Sequence, residues 1–115
     1  MARKTASGRG TMPVGKPLAL SELLAFQDGA IVSRTLVDKP VGTVTVFAFD
    51  RNEGLSEHTA PYDALVHVLE GSIEISISGK PNVVSAGQII LMPAGKPHAL
   101  HATQPAKMLL IMVRA

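Results

Sequence analysis

Turn-forming residues recur along this chain at short, near-regular intervals, and that spacing limits its fold more than any other feature. Lys39-Pro40, Arg51-Asn52-Glu53-Gly54, Glu70-Gly71, Gly79-Lys80-Pro81, Ala86-Gly87 and Pro93-Ala94-Gly95 supply the Gly, Pro and Asn that backbone reversals require. Short strands separated by turn signals about every 8–12 residues describe an all-β sandwich or barrel.

The runs between these turns read as strands. Residues 43–49, Thr-Val-Thr-Val-Phe-Ala-Phe, combine β-branched and aromatic side chains. Residues 72–78, Ser-Ile-Glu-Ile-Ser-Ile-Ser, alternate strictly, so Ile73, Ile75 and Ile77 share one face and Glu74 and Ser76 the other. Ala64 to Leu69 and Met108 to Val113 are apolar on both faces, as in strands covered on both sides in a sandwich interior or at a subunit contact. One helical signal precedes them. Ser21 is placed to cap a short helix over 21–26, with Leu20, Leu23 and Leu24 as its buried stripe and Gly29 beyond its end.

Composition narrows the chemistry. The 115 residues have room for one compact domain. The absence of Cys excludes a disulfide framework, a thiolate nucleophile and a Cys-ligated metal. Aromatic residues at 3% make any platform for stacking bases thin. The net charge of +2 misleads, because Arg3, Lys4, Arg9 and Lys16 lie in the first sixteen residues, while the remainder is slightly acidic. We therefore divide the chain into a flexible basic tail, residues 1–16, and a barrel domain, residues 17–115, with no nucleic-acid partner. Ser21 and Glu22 interrupt the stretch Leu18–Phe26, and no apolar run approaches the roughly 20 residues that span a bilayer, so a cytoplasmic protein with no membrane partner is expected. Phosphate-binding loops, dinucleotide fingerprints and the Gly-x-Ser-x-Gly elbow are all missing from the sequence.

All four histidines, His58, His67, His98 and His101, fall in the second half of the chain. His58 and His98 each follow a Gly-bearing loop and open a strand, a placement from which imidazoles on neighbouring strands converge inside a barrel. By alternation His67 and His101 point outward and could share one patch, at a dimer contact. Met92, Met108 and Met112 read as core filler.

The stretch Gly87-Gln-Ile-Ile-Leu-Met-Pro93-Ala-Gly95-Lys-Pro-His98 resembles the second motif of the small single-domain cupins, with Ala102 where the motif closes on Asn. The stretch from His58 to Gly71, ending Val68-Leu69-Glu70-Gly71, is similar to their first motif. The resemblance spans residues 40 to 113 and implies a conical jelly-roll barrel of two antiparallel sheets, here with a short N-terminal helix, and a pocket at its wider mouth.

It also implies a divalent transition metal, Zn, Fe, Mn or Ni. Of the family's ligand positions, His58 and His98 are kept, while Ala60 and Ala64 stand where a second His and a Glu would be. Asp63 is the nearest carboxylate to the vacant Glu position, and it reaches the interior only if the strand bulges after Pro61-Tyr62. The expected site is thus His58, His98 and Asp63 for a metal, with Tyr62, Val66, Met92 and Leu100 against a small-molecule ligand. Two functional readings stay open: a metal-dependent oxygenase, isomerase or lyase, and a non-catalytic, ligand-binding or regulatory homodimer with a degenerate metal site. Metal-free acid–base catalysis by His58 or His98 is a further alternative.

Overall fold

A computed structural model describes residues 4–8, by the course of their backbone, and residues 12–114 with their side chains. Ten strands form two sheets among these residues: β1 Lys4–Gly8, β2 Ala30–Lys39, β3 Gly42–Phe49, β4 Gly54–His58, β5 Tyr62–Glu70, β6 Ser72–Ile77, β7 Lys80–Ser85, β8 Ile89–Met92, β9 His98–His101 and β10 Ala106–Arg114. The larger sheet runs β1-β2-β3-β10-β5-β8 and the smaller β4-β9-β6-β7. All pairings are antiparallel except β1 with β2, which is parallel. The architecture is all-β, as the turn spacing predicts, and it is the jelly roll that the motif resemblance implies.

Alternation accounts for the core. Ile73 and Ile75 are buried between the sheets while Glu74 between them is exposed. They meet Val66, Val68, Phe49, Met108 and Leu100, contributed by both sheets. Each fully buried aliphatic side chain contributes about 1.5–3 kcal/mol, and Phe49 is the one aromatic among the fully buried described residues, with Phe47 stacked beside it. Gly71 makes the sharp passage from β5 to β6 with φ near +71°, where a Cβ would also lie 2.5 Å from the Pro105 carbonyl oxygen.

The helix expected over 21–26 does not form. Only a single 3-10 turn, Leu20–Glu22, is present; it is capped at Ala19 without a side-chain hydrogen bond, and none of its residues is buried. The segment is held instead by Lys107, which precedes the apolar β10 run and is buried on the outer face of the larger sheet. Its Nζ donates to the Ser21 carbonyl at 2.7 Å, pairs with Glu70 at 3.3 Å and sits 4.9 Å from the centre of the Phe26 ring. These long-range partners fix the chain direction more strongly than one helical turn could, since so short a helix is marginal alone. Inside the segment expected to be a tail, residues 4–8 run as β1; residues 1–3 and 9–11 lie outside the described residues. No helix among the described residues is long and apolar enough to cross a membrane.

Candidate functional site

His98 opens β9 as expected, whereas His58 closes β4 and does not open a strand; the two come together because β4 and β9 are neighbours and His58 pairs directly with His98 in their register. A bulge makes this so. Leu55 pairs with Leu100, yet three residues later His58 pairs with His98, two residues before Leu100 on β9. Without the extra residue on β4, Glu57 would occupy the inward position and His58 would face out.

The two Nε2 atoms lie 3.2 Å apart, with ring centroids at 4.4 Å and planes at 72°. Each ring is oriented from behind by a carbonyl two residues upstream. His58 Nδ1 donates to Ser56 O at 2.7 Å, and His98 Nδ1 to Lys96 O at 3.2 Å. A carbonyl only accepts, so both Nδ1 atoms carry the hydrogen, and in the neutral rings both Nε2 lone pairs face the same point. His98 is 4% exposed. Burial holds its pKa below the ordinary histidine value, the neighbouring His58 adds to the lowering, and the Lys96 carbonyl partly offsets it.

The pair closes one side of a small cavity of about 50 Å³ between the sheets, otherwise walled by aliphatic and methionine side chains that include Leu55, Ala64, Met92, Leu100 and Met112. Met92 and Leu100 are thus on the wall, as expected from sequence. Val66 faces inward too but is fully buried and lies outside the cavity lining. Tyr62 lines an adjoining open cleft at the end of β5.

Asp63 is not brought to the pair. The register of β5 against β10 is regular through Asp63, so no bulge turns its side chain inward. Its Oδ1 accepts instead from the Ala94 backbone N–H at 2.9 Å. Together with the Gly95 N–H to Ala60 carbonyl bond, this pins the loop whose Lys96 carbonyl orients His98. Asp63 is a positioning residue for the loop. His67 and His101 do not share a patch either: His67 is on the outer face of the larger sheet, beside Leu109 and Ile89, and His101 is on the smaller sheet, opposite Glu74 and Gly54.

A separation of 3.2 Å is close to the roughly 3.3 Å expected between two nitrogens on one tetrahedral metal with bonds of about 2.0–2.1 Å. The donor set is nevertheless too small. Among the described residues no group of three His, Cys, Asp or Glu side chains gathers, and Ala60 and Ala64 flank the cavity where further donors would be needed. The residues present do not fit a resident catalytic metal, for which three protein ligands are the usual minimum.

Sequence reasoning missed Leu55 and Met112 as cavity wall, and missed Arg114 altogether. Leu55 and Met112 were recoverable from alternation, by counting inward positions from His98 and Met108 across the paired strands.

The cupin domain family matches residues 45–113, more than half of the chain. A conserved protein of unknown function from Streptococcus pyogenes is similar at 36% identity over 93% of this chain and 94% of its own, with a TM-score of 0.87. A cupin 2 conserved barrel domain protein from Leptotrichia buccalis is 43% identical over 82% of this chain, with a TM-score of 0.80, and this match spans only 46% of that chain. A cupin superfamily protein from Desulfitobacterium hafniense shares the fold, with a TM-score of 0.86 over 93% of this chain and 98% of its own at 24% identity. A search of curated proteins finds no match. The motif around His98, the paired strands that carry it and the match over residues 45–113 agree: this chain belongs to the cupin domain family.

Proposed function

We propose that this cupin binds a small molecule in the cavity between its sheets, with the His58–His98 pair as the polar anchor. The observation that carries the reading is the facing of two Nε2 lone pairs, 3.2 Å apart, with both Nδ1 atoms already committed to carbonyls. Two acceptors turned toward each other repel unless a proton donor stands by them. Burial disfavours a proton on His98, and a ligand O–H or N–H placed between the two rings would satisfy the pair. The rest of the wall is apolar, which suits a ligand with one donor and a hydrocarbon body.

Side-chain 1H–15N NMR tests this reading by reporting the tautomer of each ring. Hexan-1-ol, as a probe carrying one donor, is expected to shift both Nε2 resonances while both rings remain Nδ1–H. Shifts elsewhere with these two resonances unmoved would overturn the reading.

The alternative without catalysis includes a homodimer, and one surface favours it. On the outer face of the larger sheet Ile89, Leu91 and Val113 are 59%, 50% and 51% exposed, at and near its β8 edge. We propose a second copy of this chain as the cover for that face, through a self-complementary contact. Light scattering at micromolar concentration should give twice the chain mass; a monomer would remove the proposal.

A further inference from the structure

Next to the cavity, on the same inward face of the larger sheet, lies an open cleft of about 460 Å³ lined by Asp38, Lys39, Thr43, Tyr62, Met112 and Arg114 among others. Met112 belongs to both walls, so the cleft is the outer vestibule of the cavity. Register fixes the arrangement. Arg114 is paired with Tyr62 across β10 and β5, and one inward row deeper Met112 is paired with Thr43 and with Ala64. Two residues along a strand advance about 6.6–6.8 Å, which is the depth separating the Arg114 row from the cavity wall.

The chemistry of that outer row is specific. Arg114 Nη2 donates to the Tyr62 hydroxyl at 3.3 Å, and its guanidinium carbon stands 5.5 Å from the centre of the Tyr62 ring. Stacking of this kind holds the planar fork in one orientation. Among the described residues no carboxylate lies within 4.0 Å of this guanidinium, and no hydrogen bond other than that to Tyr62 joins its side chain to them. One row inward, Thr43 Oγ1 is buried with no hydrogen-bond partner. An oriented guanidinium, a phenol and an orphaned hydroxyl on one wall form a receptor for a planar, negatively charged, oxygen-rich group.

We propose that Arg114 and Tyr62 form a carboxylate-binding subsite, so that the ligand of this protein is a small monocarboxylic acid. Its carboxylate sits at the vestibule, its first carbons pass Thr43, and its chain enters the cavity beside Met112, where a hydroxyl farther along it donates to the His58–His98 pair. Of the residues lining the cleft, Arg114 and Lys39 are positive and Asp38 negative, which leaves one positive charge for a single carboxylate. The proposal rests on the reading of the cavity as a ligand site and adds the class of ligand.

The test compares hexanoate with hexanamide, a neutral molecule of the same shape, by titrating the full chain and following the methionine methyl signals of Met92 and Met112. Hexanoate is expected to bind at least tenfold more tightly than hexanamide, and Arg114→Gln to erase that ratio by weakening hexanoate far more than hexanamide. Arg114 is exposed, so the variant should fold, which circular dichroism checks. If both probes move the methyl signals with equal affinity, or the preference survives Arg114→Gln, the subsite is overturned and the cavity reading stands. If neither probe moves them, both fall together.

Discussion

His58 and His98, forty positions apart, present their Nε2 atoms to each other at 3.2 Å because a bulge in β4 turns His58 inward against its β9 partner. The pair is held from behind by two backbone carbonyls, so its geometry belongs to the barrel and does not wait for a ligand.

The lowered pKa of His98 makes stability depend on pH in a defined direction. The unfolded chain binds this proton more readily than the folded one, so stability is fully present above the ordinary histidine pKa of about 6.5 and declines as pH falls from there toward the folded value. Urea unfolding at pH 7.5 and 5.5 should show this decline. His98→Leu should remove that part of it; an unchanged slope in the variant would contradict the assignment.

Two imidazoles alone should hold a transition metal poorly. After incubation with one equivalent of zinc and desalting, less than about a tenth of an equivalent should remain. Ala60→His places a third imidazole on the cavity wall and should raise retention to near one equivalent, because three protein ligands suffice for zinc. Elemental analysis of both proteins decides the matter.

Asp63 acts on the His98 loop through Ala94. Asp63→Ala should cost about 1 kcal/mol by loss of a charge-assisted hydrogen bond. Amide exchange over residues 94–97 should accelerate more than exchange in β6, which does not touch the loop's anchor. Uniform acceleration would mean a general destabilisation instead.

In the core, Ile75→Ala should cost about 2–5 kcal/mol, and Glu74→Gln on the opposite face should stay within about 0.5 kcal/mol. The contrast between adjacent residues, measured by chemical denaturation, reports the alternation directly.

The strands were legible because period-two patterning and Gly/Pro punctuation are local properties: Ile73-Glu74-Ile75 states its inward and outward faces without knowledge of its partners. The convergence of His58 and His98 was legible through motif spacing. The reason it holds was not, because a bulge arises from how β4 and β9 fit together and leaves no mark in either segment alone. The helix expected over 21–26 failed for a related reason. Its apolar spacing was real, but Lys107, far along the chain, drew the Ser21 carbonyl into a different path. Arg114 was missed because a charge on an apolar strand reads as a solvated end until Tyr62 is seen opposite it.

The cavity takes its walls from both layers: Leu55, His58, His98 and Leu100 from one, and Ala64, Met92, Leu110 and Met112 from the other. Any occupant therefore rivets the layers to each other, and its free energy of association adds directly to the work needed to pry them apart. Melting temperature becomes a general detector for this protein: a library of compounds can be screened by heat alone, before any reaction is known.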